Sequence, residues 1–343
     1  MDNRLDMASK AVDRGEFRVA YEIWRPLAEQ GNAEAQNGMG HLYSYGLHVE
    51  KNATEAFKWY RKAAEQGLAK AQHNLGTMYL EGCGVAFDLE EGLRWLNLAA
   101  ENGCDQAYYT LGVIFENGEA APQDLARAVA YFRLGHEAGN AHAQFRLGLL
   151  YLLGIGIERD DGEGVRIMSL AADQGHAEAN YYLGNLYRTG DGVRKDLKKA
   201  FRMTRLAAEL DFAEAQCNLG SMYLQGLGTP SNPQMGLEWL RKAASHGLLF
   251  PIALLGDLYF RGNYGVEQDS VEARVWLSVA AEANDAPSQY LFSYLLEFGE
   301  GGEQNQAEAK TWLERSAQQG FEPAKLVHER NGWAGYHEAP RKH

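Results

Sequence analysis

Residues 69–107 read AKAQHNLGTMYLEGCGVAFDLEEGLRWLNLAAENGCDQA. Ala71, Leu75, Met78 and Tyr79 stand at i, i+4, i+7 and i+8, which is one apolar face of a helix. The helix should end near Gly82, and CGVAF should form a loop. Asp88 followed three residues later by Glu91 is a capping box, in which each side chain satisfies a backbone donor near a helix start. The second helix runs through Trp95, Ala99 and Ala100. It stops at Gly103, a residue that adopts the left-handed conformation ending many helices.

The same sentence is written along the whole chain. The glycine at 76 recurs at Gly40, Gly112, Gly148, Gly184, Gly220 and Gly256, a period of 36 residues without slip. The tryptophan column reads Trp59, Trp95, Tyr131, Ile167, Met203, Trp239, Trp276 and Trp312. A further column holds Tyr43, Tyr79, Phe115, Tyr151, Tyr187, Tyr223, Tyr259 and Leu296. Each unit closes at Gly31, Gly67, Gly103, Gly139, Gly175, Asp211, Gly247, Asn284 or Gly320. One extra residue enters within RGNYGVEQD, before Trp276, and Ser293 takes the next glycine position. The capping box returns as Asn52 with Glu55, Asp160 with Glu163, Asp269 with Glu272, and Asn305 with Glu308, while Pro233 follows Asn232 at a first helical position. Such a period defines a solenoid of two-helix units, A and B, and moves the expectation from catalysis towards binding.

A glycine inside helix A costs about 1 kcal/mol relative to alanine. Its recurrence implies a close approach of helix B, whose small column (Ala56, Gly92, Ala128, Gly164, Ala200, Gly236, Ala273, Ala309) could face it. The bulky column would then fill the gap between successive units. The array should run from residue 6 to 332, with units near 32–67, 68–103, 104–139, 140–175, 176–211, 212–247, 248–284 and 285–320. Residues 6–31 supply a half unit, in which Ala20, Ile23 and Ala28 line up with helix B. Residues 321–332 supply a degenerate final helix A, and 1–5 and 333–343 are read as frayed.

The pattern A-x-A-Q-x-x-L-G-x-x-Y-x-x-G-x-G-V-x-x-D of residues 69–88, with GLRWLNLAAENGCDQA of 92–107, resembles the Sel1-like repeat, a relative of the tetratricopeptide repeat. Residues 184–201, GNLYRTGDGVRKDLKKAF, match as well. The resemblance implies an all-α, right-handed superhelical solenoid of eight such units with terminal half units, used as a non-catalytic adaptor for protein partners. The pattern departs in the middle, where Ile167 and Met203 replace tryptophan and EAAPQD follows Gly118.

Composition narrows the partners. The 343 residues carry a net charge of −13. Nucleic acid and anionic membranes need basic patches, so neither is expected. No apolar run is long enough to span a bilayer. The start MDNRLDMASKAVDRGEF lacks the basic and apolar stretches of a signal peptide, and Cys83, Cys104 and Cys217 form no recurring pair. A cytoplasmic protein with free thiols is expected, or a periplasmic or secreted one if a leader has been removed. No cofactor or metal is expected: the ten histidines form no zinc-binding spacing, and His136 and His142 are separated by a helix terminus. GIGIERDDGEG and GDGVRKD follow helices, whereas a dinucleotide fingerprint follows a strand. Acidic pairs such as Glu90 with Glu91, or Asp160 with Asp161, start helices and favour the positive end of the helix dipole.

In solenoids of the kind the resemblance implies, helix A lines the concave side. Its outward positions are 73, 77 and 80 and their equivalents. The first unit offers Asn37, His41 and Ser44; units three to five offer Tyr109, Val113, Glu116, then Phe145, Leu149, Leu152, then Tyr181, Asn185, Arg188. Tyr109, Phe145 and Tyr181 thus form an aromatic row, either exposed as a partner site or packed between adjacent A helices. The candidate partner-binding residues are Tyr109, Val113, Phe145, Leu149, Leu152, Tyr181, Asn185 and Arg188, for a basic or neutral protein segment. No residue is assigned a catalytic role. The alternatives are a regulatory or assembly subunit that binds by its convex face or ends, including as a homodimer, and an enzyme with a small substrate in the groove.

Overall fold

A computed structural model describes residues 3–330 and Trp333. Among them every regular element is helical. The chain divides at Gln174/Gly175 into two compact units. The first contains α1 (Asn3–Asp13), α2 (Phe17–Glu29), α3 (Ala33–Tyr45), α4 (Ala53–Glu65), α5 (Ala69–Glu81), α6 (Leu89–Glu101), α7 (Asp105–Asn117), α8 (Leu125–Glu137), α9 (Ala141–Leu153) and α10 (Asp161–Asp173). The second contains α11 (Ala177–Thr189), α12 (Leu197–Glu209), α13 (Ala213–Gln225), α14 (Pro233–Ser245), α15 (Leu249–Arg261), α16 (Ser270–Glu282), α17 (Ala286–Phe298), α18 (Gln306–Gln318) and α19 (Glu322–Glu329). From α3 onward odd numbers are A helices and even numbers B helices.

The boundaries follow the sequence signals. Asn52, Asp88, Asp160, Asp269 and Asn305 each accept a hydrogen bond from the backbone N–H three residues on. Asp211 and Asn284, which stand where other units have glycine, adopt φ of 65° and 68°. Short polar side chains tolerate that left-handed region better than other non-glycine residues.

The helical glycines sit against helix B. A Cβ added at Gly148 would lie 2.9 Å from the Gly164 carbonyl oxygen and 3.1 Å from the Met168 nitrogen. At Gly112 it would run into the Phe132 ring. The B-helix residue behind this contact is one position beyond the tryptophan column: Tyr60, Leu96, Phe132, Met168, Thr204, Leu240 and Leu277. Leu96, Phe132, Leu240 and Leu277 are completely buried. The small column faces the same glycines, as expected: a Cβ at Gly76, Gly148 or Gly220 would lie 3.0, 2.9 or 2.8 Å from the carbonyl oxygen of Gly92, Gly164 or Gly236, and Leu80, Leu152 and Leu224 lean on those three residues as well.

The tryptophan column works between repeats. Trp95 shares a core cluster with Ala63 and Ala64 of α4, and Trp239 one with Ala207 and Ala208 of α12. The indole N–H of Trp95 donates to Glu91 at 3.1 Å, and the Arg94 guanidinium lies 4.4 Å from its ring. A buried glutamine makes a second link. Gln72 donates to the Ala64 carbonyl of the preceding B helix at 3.2 Å and accepts from Asn102, at the end of its own B helix, at 2.8 Å. Gln36 and Gln289 repeat both bonds.

Both ends differ from expectation. α1 begins at Asn3 and pairs with α2 across the short connection Arg14–Gly15–Glu16, so a full helical hairpin stands where a half unit was expected. α19 supplies the expected last helix. Trp333, expected in a frayed tail, is buried against Tyr290, Tyr294 and Phe298. The expectations for 1–2, 331–332 and 334–343 fall outside the described residues.

Candidate interaction surface

Helix A buries one side in the core, turns a second to helix B, and leaves a stripe that is only partly covered. Neighbouring A helices are linked along that stripe. Asn74 on α5 donates to Asn37 on α3 at 3.1 Å, and the Arg146 guanidinium on α9 meets Glu116 on α7 at 2.5 Å. His73 Nε2 lies 3.0 Å from the Thr110 hydroxyl on α7. That hydroxyl donates to the Gln106 carbonyl, so its oxygen is left to accept from a protonated Nε2.

The predicted residues divide among several surroundings. Tyr109 is half-buried, its ring centroid 6.2 Å from Phe132 and 5.3 Å from His142. Phe145 is buried, 7% exposed. Val113 and Leu149 remain half-open on α7 and α9, whereas Leu152 leans on Gly164 inside its own repeat. In the second unit Tyr181 is half-buried between Tyr182 and Phe212. Asn185 accepts from Asn218 and from Arg188, both at 3.3 Å, and Arg188 is exposed.

A cleft beside α1 lies outside the residues expected to bind. It encloses about 630 Å³ between α1, α3 and α5, with the Trp24 ring at its floor. Gly38 makes room for that ring: a Cβ there would lie 2.5 Å from it. Asp6, Asp13 and Glu34 line the cleft with His41 and Lys70, so its walls carry more negative than positive charge. The short connection after α1 breaks the 36-residue spacing, which hid this helix from a search by period. The apolar positions Leu5, Ala8, Ala11 and Val12 are the signal that could have found it.

Burial holds the imidazoles of His73 and His41 below their ordinary value of 6.5. For His73 a hydrogen bond with Asn74 opposes the shift in part. The unfolded chain therefore takes up protons at a higher pH than the folded one, and stability falls as pH drops below about 6.5. Chemical denaturation between pH 7 and pH 5 should show this loss, and His73→Gln should make it shallower. An unchanged slope in the variant would remove His73 as a source.

Among the described residues no three histidine, cysteine or acidic side chains are grouped to hold a metal ion, and the three cysteines are free. Burial raises the Cys217 thiol to about 11, which leaves it protonated and unreactive in the folded state.

An all-α run of helical hairpins, wedged on a glycine in seven repeats and in several tied to the preceding hairpin by a tryptophan or a glutamine, defines a repeat solenoid. The Sel1 repeat model matches residues 33–68, 69–104, 105–140, 141–176, 177–212, 213–248, 252–285 and 286–321, and the chain belongs to the Sel1 repeat family. Among solved structures it is similar to a protective antigen present in uropathogenic Escherichia coli strains. That match has 28% identity and a TM-score of 0.66, and covers 94% of this chain and 81% of the other. It is also similar to a Sel1 repeat protein from Oxalobacter formigenes, with 27% identity and a TM-score of 0.63, covering 96% and 94% of the two chains. No curated protein matches the chain. Sel1 repeat proteins typically mediate protein–protein interaction. No helix among the described residues is long and apolar enough to cross a membrane.

Proposed function

We propose that this chain is a non-catalytic adaptor that holds a segment of a partner protein on the A-helix stripe of its first unit, in signalling or complex assembly. The observation that carries the reading is the cleft on Trp24, with acidic walls and room for a side chain. It opens on α3 and α5, the helices whose equivalents α7 and α9 leave Val113 and Leu149 half-open. The apolar Val113 and Leu149, followed across the polar His73 and Thr77 of α5 by an acidic cleft, suit a neutral or basic segment. The buried Phe145 and half-buried Tyr109 support the stripe from beneath. Tyr181, Asn185 and Arg188 are a separate candidate surface of the second unit. Free thiols suit a cytoplasmic setting.

The test is capture from lysate with mass spectrometry, using the intact chain and Leu149→Asp. The variant places a charge at a half-open position and should keep its helical circular dichroism. Capture of the dominant partner should weaken by about 1–3 kcal/mol, the range for an interface anchor. Unchanged capture would move the site elsewhere. One observation favours the alternative of binding by an outer face: Val271, Val275 and Val279 form a stripe on α16 that is 60%, 55% and 45% exposed. Loss of capture on Val275→Asp alone would select that reading.

A further inference from the structure

In a chain of net charge −13, residues 188–205 hold seven basic side chains against two acidic ones. The concentration has a definite origin in the repeat. In α4, α6 and α10 the third residue of helix B is a glutamate that serves the cation three positions on: Glu55 with Lys58, Glu91 with Arg94, and Glu163 with Arg166, while the Arg127 of α8 is paired with Asp124. In α12 that residue is Lys199, and the cation three positions on is Arg202. Lys199 turns away to donate to the Tyr187 hydroxyl at 2.6 Å, its ammonium 4.0 Å from the centre of that ring. Arg202 is thereby deprived of the carboxylate its counterparts have.

The neighbouring charges are in the same condition. Arg194, Lys195, Lys198 and Arg202 are exposed, and none makes an ion pair among the described residues. The first turn of α12 contains no acidic residue, although a helix start favours negative charge and disfavours lysine. Tyr187, Arg194, Lys195 and Lys198 line a surface groove of about 790 Å³ beside this turn. Its one carboxylate, Asp196, caps the helix through the Lys199 N–H at 3.0 Å. A local rule broken at several adjacent positions, with no compensating partner inside the protein, marks a surface shaped by something outside it.

We infer that the loop 190–196 and the first two turns of α12 bind an acidic segment of a partner protein, a run of aspartate and glutamate side chains. Four unpaired cations within nine residues can meet about as many carboxylates. Arg194 and Arg202 offer forked donors that match a carboxylate, and the Tyr187 ring gives an apolar wall for its methylenes. A nucleic acid is disfavoured because its affinity rests on many phosphate contacts along an extended basic track, and the rest of this chain is acidic. This surface lies in the second unit and does not depend on the groove reading.

The test measures fluorescence polarisation of three labelled probes with the intact chain at low salt: a hexaglutamate peptide, a glycine–serine peptide of equal length, and oligothymidylate. The hexaglutamate probe should bind, the glycine–serine probe should not, and about 0.5 M salt should abolish binding by screening. Arg194→Glu with Lys198→Glu should weaken binding about tenfold or more. Lys199→Glu supplies the missing carboxylate to Arg202. It should weaken binding while leaving the thermal midpoint equal or higher, which separates loss of the site from loss of the fold. Hexaglutamate binding that survives both variants would overturn the assignment, and so would tighter binding of oligothymidylate.

Discussion

Phe132→Ala should destabilise the third repeat by about 3–5 kcal/mol, the cost of emptying a large buried site that cannot collapse. Phe132 is fully buried, and its ring occupies the space that Gly112 leaves by lacking a Cβ. A glycine in the facing wall has no side chain that could swing in to fill the void. Trp59→Ala should cost less, although tryptophan is larger and marks the repeat more visibly. Trp59 is only half-buried, and the Lys62 ammonium lies 4.3 Å from the centre of its ring. Amide exchange is the suitable measurement, because repeat proteins need not unfold in two states. Protection in α7 and α8 should drop most for Phe132→Ala. A larger loss from Trp59→Ala would show that contacts between repeats outweigh those within them.

Gly148→Ala should lower stability by about 2 kcal/mol, although alanine is the better helix former by about 1 kcal/mol. The added methyl meets the Gly164 carbonyl oxygen and the backbone and Cβ of Met168, so relief requires one helix to move off the other. Gly162→Ala in the facing α10 is the control. Its Cβ would find only Asp160 Oδ1, at 3.4 Å. There the propensity gain stands alone, and stability should rise by about 0.5 kcal/mol. The two substitutions are chemically identical and lie in the same repeat. Urea denaturation should therefore show opposite signs, and two changes of the same sign would refute the close-approach account.

Much of this fold is legible because its devices are chemically constant. The cap of helix B is always Asp or Asn, the wedge is glycine in every repeat but the last, where Ser293 stands, and the left-handed closure is glycine, aspartate or asparagine, so each shows as a column. The inner packing column did not show, because Tyr60, Leu96, Phe132, Met168 and Thr204 share burial and no chemistry. The glutamine was visible in the A-x-A-Q string, but its two bonds join residues 8 and 30 positions away and require the fold to be seen. The candidate surface was legible in part. A helical wheel places Tyr109, Phe145 and Val113 on one stripe. It does not separate a half-open Val113 from a buried Phe145, because that depends on the neighbouring A helix.

The extra residue between α15 and α16 makes the loop longer by one, and Asn263–Gly265 absorbs it as a single 3-10 turn. Both flanking helices keep the usual length, and the caps at Gly262 and Asp269 are those of every other repeat. In this repeat the connection from helix A to helix B takes an extra residue, with Tyr264 at φ 55°, and leaves both helices unchanged, whereas in other repeats its second glycine is seated on the preceding helix B, as Gly84 is on Ala53 and Gly228 on Leu197. Foreign segments such as epitopes, tags or sensor peptides are best spliced between α15 and α16, where the chain already carries one residue more than its other A-to-B connections. The turn from helix B to the next helix A gives no such freedom, because the glutamine bonds straddle it.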